Sequence, residues 1–434
     1  MSTTESPRPG GEDHSLATTP GTSAAPAPTA PVGEPENRFS SAWREIVGGS
    51  WGVSVGAVIL ALFAGAVMIA GTDETVRQTA TYFFSKPGDM LAAVWDSVRD
   101  AYGALLRGAI WNPAGDTLLE NIRPLATSLT YATPLIAAGL GLAIGFRAGL
   151  FNIGGQGQMI LAAIGAGWVG FALDLPAGLH LLLAIVVGIA AGALWAGIAG
   201  LLKAATGAHE VITTIMLNHT AYYLLFFLLA TPGLLQAPGS ANPKTPPMKS
   251  TAILPDIFGS GFPLHAGFLL ALAAVAVTWW LLERSALGFS FRAVGENPKA
   301  ARVAGIDVKR TTVYSMLVSG AMLGIAGATQ VLGTSTTGFS TDVDAGMGFD
   351  AITVALLGRS TPLGTLGAGI LFGAFKSGGA TMQAAETIPI EIVTVIQSLI
   401  VLFIAAPPLV RAIFRLPAPG TAKAARRVRK EVAA

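Results

Sequence analysis

The sequence has no cysteine and few charged residues. Without cysteine in its 434 residues, the chain has no disulfides, thiolate metal sites or cysteine nucleophiles. Charged residues make up 12% of the chain, whereas soluble proteins normally carry about 25%. Hydrophobic residues make up 52%, and several apolar runs are long enough to cross about 30 Å of hydrocarbon. The composition therefore predicts an all-α protein that crosses the membrane many times.

Motifs for ATP hydrolysis and for zinc peptidase chemistry are also missing. No G-x-x-x-x-G-K-[ST] occurs, and the nearest stretch, GAFKSG, lacks the glycine before Lys376. His209-Glu210 opens like H-E-x-x-H, but Thr213 stands in place of the second histidine. A membrane-embedded hydrolase would need a nucleophile with its base, or a metal cluster, and neither pattern is found. We expect the chain to hold no cofactor and not to be an enzyme on its own.

The apolar runs predict about ten transmembrane helices, with short, glycine-broken helices in each half. The candidate spans are 51–70, 122–146, 150–171, 179–202, 211–230, 263–282, 312–333, 348–358, 363–382 and 389–413. Lysine and arginine are frequent before the first span and in 423–432, so both termini are expected in the cytoplasm. Segments 71–117 and 231–261 then lie outside, and the basic segment 283–311 lies in the cytoplasm.

Composition divides the chain into three regions. Residues 1–45 are rich in Pro, Ser, Thr, Ala and Gly and lack a signal-peptide pattern, which predicts a disordered cytoplasmic tail. Residues 46–416 form the transmembrane domain, and 417–434 form a basic cytoplasmic tail. We expect a multi-pass protein of the plasma membrane.

Carboxylates are scarce inside the apolar runs. Proton- or sodium-driven carriers usually bury carboxylates near mid-membrane, whereas the deepest titratable groups here are His219 and Lys376. This pattern counts against an ion-coupled secondary transporter, which we keep as an alternative. Glycine is abundant, and the G-x-x-x-G pairs Gly188/Gly192 and Gly320/Gly324 indicate close packing within the chain rather than dimerisation.

Several polar side chains inside the apolar runs are neutral amides. The stretch GLFNIGGQGQMIL (149–161) carries Asn152, Gln156 and Gln158 among glycines that weaken a helix. Irregular backbone at membrane depth persists only inside protein or beside a water-filled cavity. We therefore predict a broken helix that lines a polar pathway for a neutral solute. The alternative is that these amides hold neighbouring helices together.

The segment ENPKAARVAGI (296–306) carries the signals of a short capped helix on the cytoplasmic side. They are Asn297 as N-cap, Pro298 at the first helical position, Ala300, Ala301, Val303 and Ala304 as a small apolar face, Gly305 as stop, and Lys299 and Arg302 at the flanks. This pattern predicts a docking element for a partner protein. The alternative is a loop that is basic only to fix topology.

Four segments with characteristic order and spacing lie within about residues 118–410. They are GLFNIGGQGQMIL, HEVITTIMLN (209–218), RAVGENPKAARVAGI (292–306) and GFDAITVALLGRSTPLGTLGAGILFGAFKSGG (348–379). Together they resemble the permease subunits of ABC importers for branched-chain amino acids, ribose and nucleosides, and N-I-G-x-x-G-Q followed by E-V-I-x-T-I-M-L-N is most similar to the nucleoside type. Gln156 departs from this pattern, because the family motif usually has Glu there.

The resemblance implies a role for each segment. Residues Glu296–Gly305 would be the coupling helix that sits in a groove of the ATPase subunit. His209 and Glu210, within KAATGAHEV (203–211), would form a second cytoplasmic contact. The residues bordering the translocation pathway would be Asn152, Gln156, Asn218 and Asp350, together with Gln158 from the amide cluster.

The resemblance also implies partners and a function. ATP would be bound by a separate ABC ATPase subunit, beside a second permease (a copy or a related chain) and an extracytoplasmic substrate-binding lipoprotein in the same bilayer. Nothing in the sequence points to a nucleic acid partner. The expected function is ATP-driven import of nucleosides or related neutral solutes by alternating access, and the alternative within the family is a simple sugar such as ribose.

Overall fold

The computed structural model describes residues 50–259 and 261–415. The predicted tails 1–45 and 417–434 lie outside the described residues. Within the described residues the regular structure is helical, with one isolated bridge between Asp256 and His265. The helices are α1 Ser50–Thr72, α2 Glu74–Ala80, α3 Pro87–Ala109, α4 Leu118–Arg147, α5 Gly155–Ala172, α6 Leu179–Thr206, α7 Glu210–Ala230, α8 Gly267–Arg284, α9 Ala286–Glu296, α10 Pro298–Val303, α11 Val308–Thr329, α12 Met347–Leu357, α13 Pro362–Glu386, α14 Glu391–Ala405 and α15 Pro407–Phe414.

The described part of the chain has 6 helices that are long and apolar enough to cross a membrane, or 7 if the bent pair α14–α15 is one span. The six are α1, α4, α6, α7, α8 and α11, the last continued by the π-helical turn Gln330–Thr334. This confirms an all-helical protein with many spans, whereas the count of about ten is not confirmed. Helix α12 has 11 residues, about 16 Å, which is too short for a full crossing.

Helices α4 and α11 form the centre of the molecule. In the most apolar 18-residue stretch of each helix, 83% of α4 and 78% of α11 is buried, compared with 22% in both α6 and α7. Small residues allow α4 and α11 to approach closely, since a Cβ added at Gly141 would lie 2.5 Å from the carbonyl oxygen of Ser319. The large side chains of α6 and α7 instead point outward. Helices α4 and α11 are therefore buried at the centre, and α6 and α7 are peripheral.

Helices α6 and α11 pack through their G-x-x-x-G pairs. A Cβ at Gly192 would lie 2.6 Å from the carbonyl oxygen of Gly320, and one at Gly324 would lie 2.6 Å from the Cα atom of Ile189. These glycines are in contact within one chain, as predicted, because only glycine leaves room for backbone-to-backbone packing.

Candidate functional site

The site is built around an irregular segment, 150–154, between α4 and α5. Helix α4 ends with Gly149 in the left-handed region, at φ +72°, and α5 begins only at Gly155. The predicted span 150–171 is therefore helical only from Gly155 onward. Gln156 and Gln158 lie inside the continuous helix α5, so a break within that helix is not observed, and the irregular backbone precedes it. Backbone groups of the irregular segment lose their helical partners and need others.

Side-chain amides supply several of those partners. Asn152 is fully buried, and its Oδ1 accepts hydrogen bonds from the Gly154 N–H at 2.9 Å and from Gln158 Nε2 at 3.1 Å. Its Nδ2 donates to Ser319 Oγ on α11 at 3.1 Å and to Gln158 Oε1 at 3.3 Å. Asn152 and Gln158 thus hold α5 and the irregular segment against the central helix α11.

Asn218 holds the same segment from α7. This side chain is 3% exposed. Its Oδ1 accepts from the Gly157 N–H at 2.8 Å, and its Nδ2 donates to the Ile153 carbonyl oxygen at 2.9 Å. Both ends of the amide are therefore used inside the chain. For Asn152, Gln158 and Asn218 the geometry favours the alternative given above, that of amides holding helices together; contact with solute stays a prediction.

Gln156 faces a different group of polar residues. It is half-buried, and its Nε2 lies 3.4 Å from Oδ1 of Asp344, which is buried in the connection between α11 and α12. The other carboxylate oxygen of Asp344 has no hydrogen-bond partner among the described residues. Burial raises the pKa of Asp344 above its ordinary value, because the charged form is desolvated. This carboxylate is the most unusual polar group near the predicted pathway.

The predicted residue Asp350 belongs to the same group. It is half-buried on α12, close enough to Lys376 of α13 for their charges to interact, and Lys376 Nζ donates to the Ala345 carbonyl oxygen at 3.0 Å. The structure thus brings Gln156 and Asp350 together with Asp344 and Lys376. Sequence reasoning missed Asp344 as a site residue, because an aspartate in a polar connection gives no local signal of burial.

The first turns of α5 and α12 touch through glycine. A Cβ added at Gly155 would lie 2.6 Å from the carbonyl oxygen of Gly348. The two short, glycine-interrupted segments predicted in the two halves of the sequence therefore meet in space. Backbone therefore packs directly on backbone where α5 meets α12.

The predicted cytoplasmic helix is present as α10. Oδ1 of Asn297 accepts from the N–H groups of Lys299 and Ala300, at 3.0 Å each, Pro298 is the first helical residue, and Gly305 has φ +86°. The capping prediction is confirmed. Its apolar face differs in one position: Ala301 is 4% exposed and packs into this chain, whereas Val303 is 91% exposed. The free face consists of Ala300, Val303 and Ala304, since α10 rests on the chain through Ala301; Glu296 and Arg302 are exposed beside it.

A second glycine contact joins this cytoplasmic unit to the site. A Cβ at Gly295, near the end of α9, would overlap the carbonyl oxygen of Arg147, and a Cβ at Gly149 would lie 3.0 Å from the Gly295 Cα atom. The Nε atom of Arg147 donates to the Ser360 carbonyl oxygen at 3.0 Å, in the connection from α12 to α13. The α9–α10 unit thus lies directly against the chain that enters the irregular segment.

His209 and Glu210 differ in their surroundings. Glu210 is buried, forms an ion pair with Lys203 of α6, and its Oε1 lies 3.5 Å from the Phe151 N–H. His209 is exposed. Of the two, His209 is therefore the residue that remains open to a partner, while Glu210 ties α6, α7 and the irregular segment together.

Comparison with known proteins identifies the family. The family model described as "Branched-chain amino acid transport system / permease component" matches residues 125–405. The chain belongs to this family. It is accordingly a multi-pass membrane permease subunit of an ABC transporter, the class predicted from its motifs.

Several relatives are named for the solute they carry, and three of them illustrate the range. The chain is 37% identical to the guanosine ABC transporter permease protein NupP of Bacillus subtilis, over 73% of this chain and 88% of the relative. It is 34% identical to the glucose ABC transporter permease protein TsgB13 of Haloferax volcanii, over 70% and 80%. It is 32% identical to the nucleoside ABC transporter permease protein NupB of Lactococcus lactis, over 72% and 87%. No solved structure matches this permease.

Proposed function

We propose that this permease is the plasma-membrane subunit of an ATP-driven importer of nucleosides. The observation that carries the proposal is the capped helix α10 with its exposed tip Val303; the preceding helix α9 contacts Arg147 and Gly149, just before the irregular segment. The names of NupP and NupB support a nucleoside as solute. ATP would be bound by a separate ATPase subunit, with an extracytoplasmic lipoprotein delivering the solute and a second permease completing the membrane part.

The contacts suggest how the docking movement reaches the pathway. A shift of α10 on the ATPase surface would move Gly295 against Arg147 and Gly149, and hence the irregular segment. The contact between Gly155 and Gly348 would pass this shift to α12. Alternating access then follows as a rocking of packed helices around the polar group.

We propose that Gln156, Asp344, Asp350 and Lys376 border the solute path. They provide carboxylate and amide acceptors together with amide and ammonium donors, and these match the hydroxyl groups and ring nitrogens of a nucleoside. The fully bonded amides Asn152, Gln158 and Asn218 would hold the path in shape. His209 and the residues Glu296–Gly305 would contact the ATPase.

A simple sugar is the second candidate for the solute. TsgB13 is named as a glucose permease, and the same polar groups would also suit sugar hydroxyls. An ion-coupled carrier is disfavoured, because the structure gives α10 an exposed apolar tip, Val303, that ion coupling does not require.

Uptake into proteoliposomes tests the proposal. The permease would be reconstituted with an ATPase subunit, a second permease and a substrate-binding lipoprotein from the same organism, and uptake of radiolabelled guanosine and glucose would be measured with and without ATP. We expect ATP-dependent guanosine uptake that unlabelled glucose does not compete away. Uptake driven by an ion gradient without ATP would refute the importer proposal, and glucose uptake alone would refute the nucleoside.

A further inference from the structure

A cavity of about 670 Å³ lies between α1 and the beginning of α13. One wall is formed by α1 through Val55, Val58 and Ile59, and the other by residues within 357–371. Of the described residues that line it, Arg359 is the only charged one, and the others are aliphatic residues, glycines and one threonine. Pockets for small molecules measure about 300–1,000 Å³ and are mainly apolar with a few polar groups. The cavity therefore has the size and the composition of a binding site.

Helix α13 runs alongside α4 in the opposite direction. A Cβ added at Gly139 of α4 would lie 2.8 Å from the Thr365 side chain, and one added at Gly373 would lie 2.6 Å from the Ala132 backbone nitrogen. The beginning of α13 therefore lies next to the end of α4, where the side chain of Arg147 bonds to the connection between α12 and α13. Because α4 is a membrane span, this connection lies at one boundary of the membrane.

The cavity extends from this boundary through about half of the membrane. Its charged residue, Arg359, lies in the connection, whereas the residue of α13 that lines its inner end, Leu371, is nine residues after Pro362. Nine helical residues span about 14 Å, compared with about 30 Å for the hydrocarbon layer. A cation at the membrane surface above an apolar cleft one leaflet deep matches the shape of a phospholipid, whose headgroup lies above its acyl chains.

The backbone at the mouth of the cavity has an unusual conformation. Arg359 and Ser360 have φ values of +53° and +51°, a region that residues other than glycine rarely adopt. A Cβ at Gly364 would overlap the Gly358 carbonyl oxygen, so this turn packs tightly against the first turn of α13. There the N–H of Leu363 donates to none of the described residues. The arginine and the positive end of the α13 dipole together favour a negatively charged group at the mouth.

We propose that the cavity binds an anionic phospholipid, with its phosphate against Arg359 and the first turn of α13 and one acyl chain between α1 and α13. A water-soluble anion would leave the aliphatic walls without an apolar partner. A zwitterionic phospholipid would bring its own cation close to Arg359. An anionic headgroup such as that of phosphatidylglycerol complements the arginine, while the acyl chain covers the aliphatic walls. The site does not depend on which solute the permease carries.

Native mass spectrometry of the purified, delipidated full chain tests the headgroup contact. The protein is titrated with phosphatidylglycerol and with phosphatidylcholine of the same acyl chains. We expect the first phosphatidylglycerol to bind about fivefold more tightly, the effect of one arginine near a membrane surface. Arg359→Asn, whose side chain tolerates the left-handed conformation, should lose this preference, and Arg359→Lys should keep it. The control Arg284→Gln removes an exposed arginine at the end of α8 that does not line the cavity, and it should also keep the preference.

A second pair of variants tests the place of the acyl chain. A Cβ at Gly367, in the cavity wall, and one at Gly71, near the end of α1, would each meet nothing within 4 Å. Gly367→Phe should weaken the first binding of both lipids by about tenfold or more, since each excluded methylene loses its burial, whereas Gly71→Phe should not. Equal affinity of the wild type for the two lipids, an unchanged preference in Arg359→Asn, or unchanged binding to Gly367→Phe would overturn the proposal. Displacement of the lipid by inorganic phosphate would show a site for free anions and would likewise overturn it.

Discussion

Asn218 and His219 are neighbours in sequence that point to opposite faces of α7, so substitutions at the two positions test whether Asn218 has a structural role. Asn218→Leu removes the acceptor of the Gly157 N–H and the donor to the Ile153 carbonyl oxygen. The buried Gly157 N–H would lose its partner at a cost of about 1–3 kcal/mol, and the part-buried Ile153 carbonyl would add less than this. His219→Leu removes no hydrogen bond among the described residues and should change the free energy of unfolding by less than about 0.5 kcal/mol.

Unfolding of the purified permease in mixed micelles, followed by titration with a denaturing detergent, measures both values. We expect Asn218→Leu to lose stability and, as a consequence, uptake. His219→Leu should keep stability and serves as the matched control. A stable Asn218→Leu protein that assembles normally but imports nothing would refute the holding role and restore the prediction that Asn218 contacts the solute.

Three further predictions concern the docking helix, its link to the site and the topology. Val303→Glu places a charge on the exposed tip of α10 and should reduce ATPase co-purification at least tenfold without destabilising the permease. Arg302→Ala should mainly slow association. Normal co-purification of the Val303→Glu variant would contradict docking through this face. Gly295→Ala forces the backbone at Arg147 away and should lower the free energy of unfolding by about 1–3 kcal/mol. The control Gly367→Ala, whose Cβ would meet nothing within 4 Å, should not destabilise the protein. Equal stability of the two variants would show that the Gly295 contact tolerates a methyl group. Ser250→Cys should react with an impermeant thiol reagent on whole cells, and Ala422→Cys only after permeabilisation; the reverse pattern would invert the topology.

Local signals in the sequence were sufficient for some elements. The cap, first-turn proline and stop of α10 lie within Asn297–Gly305 and act on adjacent backbone groups, so the helix could be read without knowing its neighbours. The break before α5 could likewise be predicted, because glycine and amides within 149–158 weaken the helix locally.

The direction in which side chains point depended on contacts distant in sequence. Asn218 bonds to residues more than 60 positions away. Helix α7 carries polar and apolar side chains on both faces, so its periodicity did not indicate that Asn218 is inside and His219 outside. Ala301 was expected on the docking face, but it is buried because α10 rests on the rest of the chain. The span count was uncertain for a similar reason, since a short apolar run such as α12 does not reveal whether it crosses.

The closed hydrogen-bond network of Asn152, Gln158 and Asn218 has a consequence for how such proteins diverge. A network that is complete within one chain does not depend on the cargo, so the frame can be inherited unchanged while residues on open faces are replaced. Substitutions on the outward face of α7 remove no bond of the network, and each can therefore be tried by selection at small cost to folding. A single architecture can then give rise to carriers named for guanosine and for glucose.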